Sequence, residues 1–185
     1  MRIIAGTARS LPLKTVEGLD TRPTTDRIKE TLFNIIQDEI PGCYFLDLFA
    51  GSGQLGIEAL SRGAKHCVFV DKSKESIGVI RQNIESCKLE NSSRILNYDA
   101  EDYLKMAHHS FDIAILDPPY SLGLIPKVLS GVDEIMNPGG TVVCEHEAGL
   151  ELPEKVGGLT LRRRYSYGKL VALTVYDKDS ADTDN

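Results

Sequence analysis

Apolar residues first recur at helical spacing in "TRPTTDRIKETLFNIIQDEI", where Ile28, Leu32, Ile35, Ile36 and Ile40 fall on one helical face. Pro23 with Thr24 or Thr25 supplies a start signal, and Asp26 favours the positive end of the helix dipole. Pro41-Gly42 supplies the stop, so one helix is predicted up to Ile40. Then the pattern alternates. "CYFLDLF", "CVFVD", "RILNY", "DIAIL" and "GTVVCEH" are short apolar runs that read as strands. Between them "GQLGIEALSR", a segment with Ile77, Ile80, Ile84 and Cys87 on one face, "AEDYLKMA" and "SLGLIPKVLSGVDEIM" read as helices.

Strands that are apolar on both faces and alternate with helices imply a parallel sheet covered on both sides. The end of the chain differs: "LTLRRRYSYGKLVALTVY" offers two extended runs around Tyr167-Gly168, hence a hairpin. The predicted fold is α/β and Rossmann-like. It has a mostly parallel seven-stranded sheet, helices on both faces, a C-terminal antiparallel hairpin and a short N-terminal extension. Residues 1–177 are expected to form one domain, with residues 1–20 as an arm and 178–185 as a disordered acidic tail.

Composition changes this picture little. The chain has 185 residues, 42% hydrophobic and 26% charged, which suits a single core. No apolar run approaches the ~20 residues of a membrane span, and the N-terminus lacks a signal-peptide pattern, so a cytoplasmic protein is expected. Four scattered cysteines without a C-x-x-C pair read as buried thiols, and no metal site is expected, the adjacent His108 and His109 included. The net charge of −6 argues against a nucleic-acid partner only on average. Residues 1–14 carry Arg2, Arg9 and Lys14 without any acid, and Arg162, Arg163 and Arg164 form a second basic group.

The candidate chemistry sits at the strand ends. Asp47, Asp71, Asp99 and Asp117 each follow or close an apolar run. Ligands of such sheets bind outside the carboxyl ends of the strands, so four acids there suggest one acid-lined cleft. In "LDLFAGSGQLG", Gly51, Gly53 and Gly56 satisfy G-x-G-x-x-G, with Asp71 following at the spacing expected of a ribose acceptor. A nicotinamide-dependent dehydrogenase fits that pattern. Asp47 at the end of the preceding strand favours a cationic cofactor over a pyrophosphate, hence S-adenosylmethionine. Asp99 could receive an adenine amino group while Ala100 offers its backbone N–H.

"LDPPY" completes the constellation. An exocyclic amine is a poor nucleophile because its lone pair is delocalised into the ring. The Asp117 carboxylate and the Pro118 carbonyl could accept its two N–H bonds and aim that lone pair. Pro118 and Pro119 stiffen the turn and remove competing donors, and Tyr120 could stack on a base.

Together these residues resemble the S-adenosylmethionine-dependent amino-methyltransferases with a (D/N/S)-P-P-(Y/F) motif. More narrowly, "MRIIAG", "TRPTTDRIKETLFN", "LDLFAGSGQLGIEALSRGA", "LDPPY" and "YSYGKLVALTVY" resemble the bacterial small-subunit rRNA guanine-N2 methyltransferases of the RsmD type. The resemblance implies methyl transfer to N2 of a guanine in 16S rRNA, the substrate being RNA within a ribosomal particle and the enzyme a monomer. It places Asp47, Gly51, Gly53, Asp71 and Asp99 in cofactor binding, with Phe49, Lys72, Ala100 and Thr24 counted beside them. It places Asp117, Pro118, Pro119 and Tyr120 at the target amine, and Arg22 with Thr24 and Thr25 in a segment closing over the cleft. Arg2, Arg9, Lys14 and Arg22 are the RNA-docking candidates. One departure is "GTARSLPLK", with Ser10 and Leu11 where the family commonly has a glycine and a basic residue. DNA adenine-N6 and protein-glutamine methyltransferases would use the same acceptor geometry.

Overall fold

The computed structural model describes residues 1–16 and 26–180. Arg22, Pro23, Thr24 and Thr25 lie outside the described residues, as do the last five of the acidic tail.

The elements follow the alternation of the sequence. They are α1 (Asp26–Ile35), β1 (Tyr44–Asp47), α2 (Gln54–Ser61), β2 (His66–Asp71), α3 (Lys74–Cys87), β3 (Ser93–Asn97), α4 (Ala100–Met106), β4 (Phe111–Leu116) and α5 (Ile125–Glu134). The strands β5 (Met136–Glu147), β6 (Lys155–Val156), β7 (Leu159–Tyr167) and β8 (Val171–Lys178) complete the chain. Among the described residues one sheet holds the strands in the order β3-β2-β1-β4-β5-β8-β7-β6. The first five in that order run parallel, and β8, β7 and β6 add antiparallel pairings. The order reverses between β1 and β4, which is the topological switch point where such sheets bind ligands.

Apolar-on-both-faces strands do what their pattern requires. Phe45, Cys67, Phe69, Ile113 and Ile115 point to the layer of α1, α2 and α3. Their neighbours Leu46, Val68, Val70, Ala114 and Leu116 point to the layer of α4 and α5. Gly56 allows α2 to lie close on this sheet, since a Cβ there would stand 2.3 Å from the Phe69 ring. All four cysteines are buried and free, and burial raises the thiol of Cys43 to about 12.

Several features differ from expectation, among them β5, which begins at Met136, and α5, which ends at Glu134. The first helix ends at Ile35, because the chain turns there and the Glu39 carboxylate accepts hydrogen bonds from Thr141 and Arg162 across the sheet. The last helix starts at Ile125, after a short turn that ends on Gly123 at φ +55°. Pro126, which has no N–H, fits only in its first turn. The sheet has eight strands among the described residues, the addition being the two-residue β6 that pairs Val156 with Leu159. Lys178, expected in the tail, belongs to β8 and binds Asp133 at 2.6 Å.

The N-terminal segment is docked. Arg2 bridges Pro12, and Ile3, Ala8 and Leu13 are buried. The N–H groups of Ile4 and Ala5 donate to the Glu58 carboxylate, and that of Ala8 donates to the Ser61 hydroxyl. Gly6 sits so close to α2 that a Cβ would lie 1.8 Å from the Ser61 carbonyl oxygen. Asn83 accepts from the Lys14 N–H and donates to the Ser52 carbonyl, tying this segment to the glycine loop.

Ser10, at the departure from the family pattern, has φ +69°. A side chain is strained in that region, by about 1–2 kcal/mol, while glycine forfeits roughly 0.5–1 kcal/mol through its freer unfolded chain. Ser10→Gly is therefore expected to raise stability by about 0.5–1 kcal/mol, read from denaturant midpoints. A neutral or lower midpoint would mean that Ser10 is held by something other than its backbone.

Candidate functional site

At the switch point β1 delivers the glycine loop and β4 delivers the Asp117–Tyr120 turn. A cavity of about 380 Å³ opens between them. It is lined by Phe49, Gly51, Asp71, Lys72, Asp99, Ala100, Asp117, Pro118, Pro119 and Tyr120, so ten of the sequence-derived candidates meet in one space. Pro118 is buried, Asp117 and Tyr120 are half-buried, and the Tyr120 hydroxyl donates to Glu145 Oε1 at 2.9 Å.

The ribose candidate Asp71 also builds the loop. Its Oδ2 accepts the Gly51 N–H and its Oδ1 accepts the Ser73 N–H, both at 2.8 Å. Each carboxylate oxygen keeps a lone pair beyond these bonds. Asp99 caps α4, its Oδ1 accepting the Glu101 N–H at 3.0 Å, and its Oδ2 has no protein partner among the described residues.

Two candidates stand apart. Asp47 was expected to face the cofactor, but it is 1% exposed and does not line the cavity. The Gly56 N–H captures its Oδ2 at 2.9 Å and draws the carboxylate under the first turn of α2. Gly53 is likewise buried behind the wall, at the start of that helix. The basic candidates lie on the docked segment. Arg2 pairs with Asp26 at 3.6 Å, Lys14 Nζ donates to Gln82, and Arg9 is exposed. Of the arginine triplet, Arg162 is committed to Glu39 and Asp177, Arg163 lies over the Tyr165 ring, and Arg164 donates to the Leu152 carbonyl.

Burial pushes the Asp47 carboxyl up to about 7, with Asp117 and Asp71 adding to the rise against the lowering bond from Gly56. The sign follows from proton linkage. Between about pH 4 and 7 the folded chain keeps a proton that the unfolded chain has released, so stability falls as pH rises through this window. Asp47→Asn, whose amide oxygen still accepts from Gly56, should remove that fall and be relatively more stable at pH 8 than at pH 5. Parallel pH profiles of wild type and variant, by chemical denaturation, would contradict the assignment.

Several lining residues carried no sequence signal. Tyr98 and Glu101 flank the strand-end acid Asp99, whereas Ser76 sits within α3. The Ser76 hydroxyl is buried with no hydrogen-bond partner among the described residues. The charged lining residues are Asp71, Asp99, Glu101 and Asp117 against a single ammonium, Lys72. Leu48, Phe49, Leu124 and Val128 supply apolar wall. Such a site suits a ligand with positive charge, hydroxyl groups to donate and a flat apolar part. A pyrophosphate would meet carboxylates. Among the described residues no cluster could hold a metal ion, and no helix is long and apolar enough to cross a membrane.

Residues 1–177 match the family described as conserved hypothetical protein 95. The chain is 42% identical over 183 residues to the Bacillus subtilis protein "Putative rRNA methyltransferase YlbH", covering 96% of this chain and 99% of that one. It is 31% identical over 182 residues to Ribosomal RNA small subunit methyltransferase D of Escherichia coli K12, covering 97% and 91% respectively. Among solved structures, the Escherichia coli "Putative methyltransferase yhhF" superposes with a TM-score of 0.87 at 31% identity, over 98% of this chain and 99% of that one.

Proposed function

Because the chain belongs to the conserved hypothetical protein 95 family and is related along its length to small-subunit rRNA methyltransferase D, we propose that it methylates the exocyclic N2 of a guanine in small-subunit ribosomal RNA, using S-adenosylmethionine. The observation that carries this reading is the shared cavity. The Asp117–Tyr120 turn and the strand-end acids Asp71 and Asp99 line the same space.

S-adenosylmethionine, when bound, supplies an electrophilic methyl group on a positively charged sulfur. Asp71 would accept from ribose hydroxyls, and Asp99 with the Ala100 N–H would read the adenine edge. Ser76 offers a buried hydroxyl without a hydrogen-bond partner among the described residues. At the other side of the cavity Asp117 and the Pro118 carbonyl accept the two N–H bonds of the target amine. This holds the nitrogen and favours its pyramidal form, and Tyr120 covers the base face. Proximity and fixed dipoles would do most of the catalysis; the methyl group would leave the sulfonium sulfur as its bond to nitrogen forms, and the cationic nitrogen would then lose its proton to solvent.

The dehydrogenase reading loses ground because Lys72 is the only cation among the described lining residues. The DNA and protein substrates lose ground because the full-length relatives carry rRNA in their names. The working form in this proposal is a cytoplasmic monomer acting on RNA within a ribosomal particle.

The test is mass spectrometry of small-subunit rRNA nucleosides from a strain lacking the protein, with calorimetry of the purified chain. Loss of one N2-methylguanosine, restored by adding back the protein, and binding of S-adenosylmethionine but not NAD are expected. Unchanged rRNA, or NAD binding alone, would overturn the proposal.

RNA docking is assigned to the basic groups of the N-terminal segment, which the hydrogen bonds of Asn83 hold beside the glycine loop. Each phosphate contact contributes roughly 0.7–0.9 to the slope of log affinity against log salt. Replacing Arg9 and Lys14 by alanine should therefore lower that slope by up to about 1.4–1.8 and leave cofactor affinity unchanged. An unaltered slope would place docking elsewhere, Arg163 being the next arginine to change.

A further inference from the structure

Tyr120 belongs to a short turn between Pro119 and Gly123, too small to hold an aromatic ring by its own backbone. A weak backbone bond closes it, from the Leu122 N–H to the Pro119 carbonyl at 3.4 Å. Its hydroxyl ties the ring to the sheet by donating to Glu145 Oε1. Glu145 lies in β5, where Leu116 at the end of β4 stands opposite Cys144. It is therefore one residue further along, level with Asp117. The residue is 2% exposed, flanked in the strand by Cys144 and His146 and opposite Leu173 on β8. Burying a carboxylate there is costly unless it is hydrogen-bonded, and the Tyr120 hydroxyl supplies such a bond. A bond from a phenol to a carboxylate is short, directional and charge-assisted, which suits the fixing of a ring plane.

We propose that Glu145 is a positioning residue for the acceptor base. It holds Tyr120 by its hydroxyl, so that the ring stands as a preset wall above Asp117 and Pro118. The inference rests on the reading of this cavity as the site of an amino-methyltransferase acting on a nucleobase. It adds a role for a residue that touches neither cofactor nor base. It also gives a reason for tyrosine over phenylalanine at the end of the motif: phenylalanine fills the same space but cannot be tethered.

The experiment has two arms. In the first, tyrosine ring carbons are isotopically labelled and followed by NMR in the absence of RNA, with Tyr120→Phe identifying the signal. Glu145→Leu should shift or broaden the Tyr120 signal, and Glu145→Gln, whose amide oxygen still accepts, should shift it less. An unmoved signal in both variants overturns the tether. In the second arm, single-turnover transfer to small-subunit particles is measured. Tyr120→Phe and Glu145→Leu should each lower kcat/KM for RNA by about tenfold, the scale of one charge-assisted hydrogen bond. Cofactor affinity should stay unchanged, and Glu145→Gln should stay within about threefold of wild type. Because both changes break the same bond, adding Tyr120→Phe to Glu145→Leu should lower transfer no further than Glu145→Leu alone. Multiplying effects, or full activity in Tyr120→Phe, would overturn the positioning role. If Glu145→Leu does not fold, Tyr120→Phe and Glu145→Gln still decide the matter. A tether present by NMR in a wild-type protein inactive on RNA would refute the substrate reading and leave the tether standing.

Discussion

Asp117→Ala should bind S-adenosylmethionine within a few-fold of wild type and transfer its methyl group at least about 10² times more slowly in single turnover, the scale of losing one positioned electrostatic group. The split follows from where the residue sits. Asp117 leaves the end of β4 and lines the cavity beside the buried Pro118, whereas the ribose candidate Asp71 ends β2 and the adenine candidate Asp99 follows β3. A carboxylate beside the target nitrogen acts most strongly when that nitrogen becomes cationic, so its loss appears in the rate. Removing it also relieves repulsion on Asp47, whose carboxyl is raised partly by the Asp117 charge. The variant should therefore keep its fold. Asp117→Asn retains one acceptor oxygen without the charge and should fall between the two. Near wild-type transfer by Asp117→Ala would mean that another group holds the amine.

The parts of this site that could be read in the sequence are those where position along a strand decides direction. Asp71, Asp99 and Asp117 follow apolar runs, and parallel packing brings the carboxyl ends of those runs to one edge. Asp47 follows the same rule yet turns away. Its direction was decided by the Gly56 N–H, a partner nine residues on that no periodicity reveals. Glu145 was invisible for the opposite reason. In "VVCEHE" an acid near a strand end looks solvated, and only the register of β5 against β4 and the approach of Tyr120 bury it. The end of α1 misled because Ile36 and Ile40 continue the apolar spacing and are indeed buried, but from a turn. There the tertiary bonds of Glu39 override local propensity.

Glu58 is the residue whose loss should cost the fold most. In "GIEALS" it reads as an ordinary helical acid, but it is fully buried in α2. Its carboxylate accepts from the N–H groups of Ile4 at 2.8 Å and Ala5 at 3.0 Å and from Arg62 Nε at 2.8 Å. Lys29 Nζ lies 3.6 Å away, also fully buried, and donates to the Arg2 carbonyl at 2.6 Å. Burial pulls the Lys29 ammonium down from its ordinary pKa, while Glu58 opposes that shift and keeps the charge tolerable. Glu58→Ala strands that ammonium and leaves two backbone donors without their acceptor. A broken buried pair typically costs about 3–5 kcal/mol, and that loss of unfolding free energy is expected here by chemical denaturation. Glu58→Gln keeps an acceptor oxygen for the backbone and should lose less. A loss below about 1 kcal/mol in Glu58→Ala would show that water or a neighbouring carbonyl takes over the ammonium. The consequence for function follows from the position of α2. The helix begins at the glycine loop and, through Glu58 and Ser61, holds the segment carrying Arg2, Arg9 and Lys14. Near the folding midpoint of Glu58→Gln, RNA affinity should therefore fail before cofactor affinity, because the basic segment loses its anchor while Asp71 still holds the loop.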